Sequence, residues 1–183
     1  NKNGNAQSTF SQYNFYERSF DFDGSGDYVK HDLTDRTFLM QGNVFTAEAW
    51  CRADTLTSGG KTIFSVGNGT ASNSNYVWQV IMNGATQSFY GAFYNGTTQR
   101  KTQDADNTVT PGKWYHVAYQ REGSLQELYV NGRLVATTTH TETPNNNTSS
   151  SDLTIGASFG GSDAFDGQIQ DARIYVEIGR AHV

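Results

Sequence analysis

The residues with the clearest capacity for chemistry lie in SFDFDGSGDYV, residues 19–29. An EF-hand loop takes oxygen ligands at positions 1, 3, 5 and 12, with Gly at position 6. Counted from Asp21, those positions hold Asp21, Asp23, Ser25 and Asp32, and Gly26 falls at the sharp turn. Two features oppose a helix–loop–helix. Asp32 is shorter than the Glu that binds bidentately, and Phe20 and Phe22 alternate with Asp21 and Asp23 at the period of a strand. The stretch therefore predicts a strand, a turn and a second strand, with Gly24 and Gly26 supplying positive φ. As metal ligands its aspartates remain candidates. Asp21 and Asp23, with Asp163 far along the chain, form the calcium set, and solvated turn carboxylates are the alternative reading.

Aromatic side chains supply a different chemistry, stacking on the C–H faces of sugars while amides and carboxylates fix the hydroxyls. Tyr76 and Trp78 share one face of a strand, as do Tyr90 and Tyr94 of the next, opposite Phe89 and Phe93. Assigning the phenylalanines to the core leaves Tyr90 and Tyr94 outward. Tyr90, Tyr94, Trp78 and Tyr76 are thus the glycan-binding candidates, against the alternative of core packing or scattered surface. The loops 67–75, 95–107 and 143–151 would add polar contacts.

The elements that must position these residues are strands. Aromatic residues make up 13% of the chain and glycines number 19 against 2 prolines. Short β-favouring runs alternate with Ser/Thr/Asn/Gly loops. Val44–Cys51 alternates with Phe45, Ala47, Ala49 and Cys51 on one side, and Asn83-Gly84 joins two strands. Asn131-Gly132 predicts a type I′ hairpin that pairs Val130 with Arg133 and Leu128 with Val135. The fold class is all-β, a two-sheet antiparallel jelly-roll sandwich. Residues 1–17 read as a polar lead-in, in which Tyr13, Phe15 and Tyr16 could dock as an edge strand.

Several function classes are disfavoured. Net charge is −5 and no basic cluster exceeds Arg100-Lys101, which argues against nucleic acid. No apolar run approaches the length of a membrane span, so no membrane insertion is expected. Cys51 stands alone and reads as a buried structural thiol. His31, His116, His140 and His182 are scattered, and His116 reads as a structural hydrogen-bonding group. Asn68, Asn95, Asn146 and Asn147 begin glycosylation-acceptor triplets, a pattern that arises readily in an Asn/Thr-rich chain.

Five segments in order resemble the laminin-G-like domains of the concanavalin A-like lectin/glucanase superfamily. They are residues 20–29, Phe45-Thr-Ala-Glu-Ala-Trp50, Gly112-Lys-Trp-Tyr-His-Val-Ala118, Leu128-Tyr-Val-Asn-Gly-Arg-Leu-Val135 and Phe165–Tyr175. The resemblance covers about residues 19–176, and the domain is placed at 18–176. It implies a jelly roll in an extracellular, cell-surface or virion protein, often binding glycan and sometimes calcium. It also assigns Trp50 and Trp114 to structure. Glucanases on this scaffold need a nucleophile and an acid/base carboxylate about 5 Å apart. The Glu-x-Asp-x-(x)-Glu strand pattern that supplies them is absent, Glu48 lacks an acidic partner, and Asp104 and Asp106 read as loop residues.

The expected function is accordingly non-catalytic binding of a glycan or cell-surface polysaccharide. The rival is a structural or assembly module, a virion decoration domain or filament subunit that binds protein rather than glycan and forms a homo-oligomer or larger assembly. Residues 177–183 are set apart as a non-native tail. Ile178 to Val183 can be reverse-translated as ATC GGA AGA GCA CAC GTC, the start of a common sequencing adapter, as read-through in an environmental assembly would leave.

Overall fold

The computed structural model describes residues 2–3, 7–9, 19–32, 44–68, 75–106, 108–145 and 151–176. Tyr13, Phe15 and Tyr16, the tail at 177–183, and the acceptor triplets at Asn146 and Asn147 lie outside the described residues. In chain order the strands are β1 (Lys2–Asn3), β2 (Gln7–Thr9), β3 (Ser19–Asp23), β4 (Tyr28–Asp32), β5 (Val44–Ala53), β6 (Gly60–Gly67) and β7 (Tyr76–Asn83). There follow β8 (Ser88–Tyr94), β9 (Gln99–Gln103), β10 (Tyr115–Glu122), β11 (Leu125–Val130), β12 (Arg133–Thr139), β13 (Asp152–Ile155) and β14 (Asp166–Tyr175). The first sheet runs β1-β4-β13-β6-β7-β8-β9 and the second β12-β11-β10-β5-β14-β3-β2, every pairing antiparallel. The all-β jelly-roll sandwich read from the pattern is the fold.

The inner faces meet over aromatic rings. Phe45 of β5 stacks on Trp78 of β7 at 4.8 Å, and Tyr119 of β10 meets Phe45 edge-on at 5.7 Å. Phe45, Ala47, Ala49 and Cys51 all face this core, as the alternation of β5 requires. Burial pushes the Cys51 thiol far up, so it stays an inert thiol. Gly91, inward-facing between Phe89 and Phe93, makes room for Tyr119. A Cβ there would lie 2.1 Å from the Tyr119 ring.

The aspartate-rich stretch is a strand, a turn and a strand, but not a hairpin. β3 belongs to the second sheet and β4 to the first, so residues 24–27 carry the chain across the sandwich. Gly24 and Gly26 take φ of 76° and 79°, and Asp23 Oδ1 accepts the Ser25 N–H at 2.8 Å. The Gly24 N–H donates to the Phe165 carbonyl at 3.0 Å, which ties the turn to the segment leading into β14.

Three readings of the sequence are corrected. Residues 95–107 are not one loop, because 99–103 form β9, the edge strand beside β8. Two parts of the polar lead-in are paired edge strands, β1 on β4 and β2 on β3. In the Asn131-Gly132 hairpin both turn residues take positive φ, 52° and 76°, and Val130 pairs with Arg133. Leu128 pairs with Ala136, however, because a bulge between Leu128 and Tyr129 shifts the register by one.

Gly91→Ala is expected to destabilise the fold by about 1–3 kcal/mol through overpacking against Tyr119. Denaturant unfolding with an unchanged midpoint would show that this close approach is not a constraint.

Candidate functional site

On the outer face of the first sheet a second apolar cluster forms, separate from the core: Tyr76, Ile81, Tyr90, Ala92 and Tyr94. Alternation sends Phe89 and Phe93 into the core and Tyr90 and Tyr94 to this face. The tyrosines are not the exposed rings expected of a stacking platform. Tyr76, Tyr90 and Tyr94 are only 6%, 8% and 3% exposed.

Trp78 is not among them. A strict period of two would put it beside Tyr76, but β7 bulges there. Gly67 pairs with Tyr76 and Val66 with Trp78, so Val77 is the extra residue and the alternation flips. Val77 and Trp78 both enter the core, and Tyr76 stays outside it. Gly67 permits the close approach, since a Cβ there would lie 2.7 Å from the Asn75 carbonyl oxygen.

A chain of side-chain hydrogen bonds crosses this face. The Gln99 amide of β9 donates to the Tyr94 hydroxyl at 2.5 Å, and Tyr94 donates to Gln79 Oε1 on β7. Gln79 Nε2 donates to Ser65 Oγ of β6 at 3.2 Å and to Ser158 Oγ at 3.0 Å, and Ser158 Oγ lies 2.9 Å from Thr62 Oγ1. Tyr76 packs on Tyr94 at 5.1 Å, and Lys101 Nζ stands 4.4 Å from the centre of the Tyr90 ring. The Tyr76 hydroxyl is buried and has no hydrogen-bond partner among the described residues. Asn145 closes one end, its N–H on the Tyr94 carbonyl at 2.5 Å and its side-chain amide on the Tyr76 carbonyl at 3.3 Å.

Asp163 approaches the same face from the segment before β14. Its carbonyl accepts the Thr62 N–H at 2.9 Å, and its carboxyl carbon lies 3.8 Å from where a Cβ of Gly60 would stand. Although Asp163 presents surface to solvent, partial burial holds its carboxyl above the usual carboxylate range, and Lys61 pulls it back. Burial pushes the Tyr90 phenol up to about 12; the Gln99 amide opposes that shift and the nearby Asp163 and Tyr76 add to it. Burial, then Tyr90, pushes the Tyr94 phenol higher still. Tyr90 and Tyr94 therefore act at neutral pH as protonated hydrogen-bonding groups.

Asp21 and Asp23 stand elsewhere, on β3 of the second sheet. Burial, then Asp54, raises the Asp21 carboxyl, Arg52 opposes this and Asp166 adds to it. Arg52 donates to Asp54 at 2.8 Å and Thr55 to Asp166 at 2.5 Å. Among the described residues no group of three or more His, Cys, Asp or Glu side chains is placed to hold a metal. Asp21, Asp23 and Asp163 are thus not gathered into one cluster. Gln79, Gln99, Lys101 and Ser158 were missed by the sequence reading. No local signal marked Gln99 and Lys101, because Gln99-Arg-Lys-Thr-Gln103 contains no apolar residue to show a strand alternation.

The outer face of the second sheet holds the other aromatic group. Trp50 of β5 is 38% exposed and packs on His116 of β10, ring centres 5.3 Å apart. Glu48 Oε1 accepts the Tyr175 hydroxyl at 3.1 Å, and Glu48 Oε2 lies 3.6 Å from His116 Nε2. Partial burial lowers the His116 pKa, with Glu48 and Asp171 pulling upward and Arg173 downward.

With both faces described, kinship can be stated. The sequence matches the laminin-G family profile described as the concanavalin A-like lectin/glucanases superfamily over residues 23–178. The chain belongs to this superfamily. No curated protein sequence matches it. Among solved structures it is similar to the CBM40 module of the Ruminococcus gnavus IT-sialidase bound to α2,3-sialyllactose. That match has a TM-score of 0.70 and 17% identity, and covers 87% of this chain and 90% of that one. It is also similar to domain 4 of an extracellular arabinanase from Geobacillus stearothermophilus in complex with arabinotriose. Here the TM-score is 0.66 at 16% identity, with coverage of 94% and 76%. The LG4-5 domains of the mouse laminin α1 chain match with a TM-score of 0.60 at 14% identity, over 92% of this chain and 41% of that one. At such identities the likeness establishes the fold alone.

Two outcomes follow. Gln79→Leu takes one partner each from the Tyr94 hydroxyl, Ser65 and Ser158, leaving Tyr94 its bond from Gln99 and Ser158 its contact with Thr62, and is expected to cost about 1–3 kcal/mol in denaturant unfolding; a variant as stable as the parent would remove the hydrogen-bond chain from the argument. The lowered His116 pKa means the unfolded chain binds its proton first. Its contribution is complete above the ordinary histidine pKa of about 6.5 and is lost as pH falls from there through the folded value. His116→Gln should flatten that part of the stability–pH curve, and an unchanged slope would contradict it.

Proposed function

We propose that this chain is a non-catalytic carbohydrate-binding module of an extracellular protein, and that it binds glycan at the tyrosine face of the first sheet. The carrying observation is the Tyr76 hydroxyl, buried beside Tyr90 and Tyr94 without a partner among the described residues. A buried hydroxyl left unpaired costs free energy, and a sugar hydroxyl would supply the missing partner. Lys101, Gln99 and Asp163 add a cation, an amide and a carboxylate around the same rings.

Two further observations support the reading. Of the similar structures, one is a sialidase's binding module with sialyllactose bound, and another an arabinanase domain with arabinotriose bound. Strands β6, β7, β8 and β9 contain no Asp or Glu, so these four strands offer no pair of carboxylates for retaining hydrolysis beside the tyrosines.

The mechanism is hydrogen bonding by pre-positioned phenols and amides rather than open stacking, because the rings are nearly covered. The Gln99–Tyr94–Gln79 chain fixes the face before ligand arrives, which lowers the ordering cost of binding. This mechanism needs no calcium. Binding that disappeared in EDTA would return Asp21, Asp23 and Asp163 to the role of ligands.

Tyr76→Phe separates binding from folding. It removes a hydroxyl that makes no bond within the described residues, so the fold should be as stable or slightly more so, while affinity on a glycan array should fall about threefold to tenfold. The comparison is run in calcium and in EDTA. Undiminished binding by Tyr76→Phe would sink the assignment of glycan to this face.

A further inference from the structure

We infer that the outer face of the second sheet is a separate glycan-binding surface, on which Trp50 stacks against a pyranose ring of a neutral polysaccharide. The inference does not rest on the tyrosine face, which lies on the other side of the sandwich.

Trp50 is the exposed aromatic ring on the central strand β5 of this sheet. Its cross-strand neighbours are His116 on β10 and Gln170 on β14. The imidazole backs the indole from one side at 5.3 Å and holds its orientation. On the other side Gln170 is only 4% exposed, yet its Oε1 has no hydrogen-bond partner among the described residues. An unpaired buried acceptor beside an exposed ring is what a ligand hydroxyl would satisfy.

The neighbouring positions are polar on every side. Glu48, two residues along β5, pairs in register with Arg173 and receives the Tyr175 hydroxyl. Arg173 is joined to Asp171 at 2.8 Å. Farther out on β10 and β11, Gln120 and Tyr129 both donate to Glu127. A pyranose ring has an apolar C–H face and a rim of hydroxyls. One indole surrounded by amide, carboxylate and guanidinium groups matches that distribution. Carboxylates and guanidinium groups stand side by side here, so neither sign of ligand charge is selected and a neutral sugar fits.

The same distribution argues against a protein partner. Protein interfaces centre on contiguous apolar surface. The large exposed apolar side chains among the described residues are Phe20, Trp50, Leu134 and Val176. Leu134 sits on β12, with β11 and β10 between it and β5, and Phe20 pairs with the core residue Ile169. Val176 follows Tyr175, which pairs with Thr46, four residues along β5 from Trp50, so these side chains form no patch around it.

The test is affinity electrophoresis of the full chain in gels containing arabinan, galactan, mannan or mixed-linkage β-glucan, with iodide quenching of tryptophan fluorescence in parallel. At least one polysaccharide is expected to retard the parent. Trp50→Ala should lower that affinity about tenfold or more, the loss of one stacked ring and its contacts. Trp50→Tyr should keep most of it, and Tyr76→Phe should leave the Trp50-dependent part intact. Saturating polysaccharide should also shield the parent from iodide, and more than it shields Trp50→Tyr, because Trp78 is buried, Trp114 is half-buried and Trp50 is the exposed indole. The inference is overturned if Trp50→Ala, folded by circular dichroism and with parental Tm, is retarded like the parent in every gel. It is overturned equally if no polysaccharide retards the parent or changes its quenching, or if Trp50→Ala alters only self-association in sedimentation. Should Trp50→Ala fail to fold, Trp50→Tyr decides, because protection from iodide undiminished in that variant would place the sugar at Trp114 and overturn the inference. Loss of binding in Tyr76→Phe with none in Trp50→Ala would uphold the tyrosine face and reject this one.

Discussion

Phe45, Trp78 and Tyr119 meet between the sheets, and the character of both outer faces follows from the side of each strand those rings occupy. Once Trp78 is committed inward, Gln79 must face outward and Val80 inward, and Phe89, Gly91 and Phe93 of the next strand are fixed by pairing. Tyr90 and Tyr94 then have no choice of face. The bulge at Val77 is what allows two adjacent large residues to enter the core while Tyr76 stays with the other tyrosines. A second bulge on β6 does the same for Ile63 and Phe64, leaving Thr62 and Ser65 to the outer network.

The outer faces differ in how they treat their polar groups. On the first sheet, Gln79, Ser65, Ser158 and Thr62 are almost wholly buried and bonded to one another, so the network fixes single rotamers in a low-dielectric setting. On the second sheet the charged groups are paired but partly wet, as Arg173 with Asp171 and Arg52 with Asp54. Pairs of that kind contribute little to stability. They do keep a sheet face soluble around an exposed indole.

Much of this was legible in the chain. The alternation of Val44–Cys51 identified the core side of β5, and the Asn131-Gly132 turn identified its hairpin, because both signals are local. Period two and turn chemistry depend only on neighbouring residues. Trp78 was misplaced because a bulge is set by the partner strand, where Gly67 allows Tyr76 to close in, and no pattern within residues 76–83 records that. β9 was invisible because Gln99-Arg-Lys-Thr-Gln103 takes its strand conformation from pairing with β8. Trp50 was assigned to structure from the motif around it, although its own alternation with Ala49 and Cys51 already pointed it away from the core.

The crossing at residues 24–27 bears on how the domain comes into being. β3 lies beside β14, so Asp21 meets Gln168 and Phe20 meets Ile169 across nearly the whole length of the chain. β14 also fills the gap between β3 and β5, which puts a late-made segment in the middle of a sheet whose other strands come earlier. On a ribosome, β3 and β5 must wait with open edges until β14 emerges. Contacts of such high sequence separation place folding in the slow range of about milliseconds to seconds. For that interval the nascent domain exposes unpaired strand edges, the state in which β proteins are most exposed to mispairing.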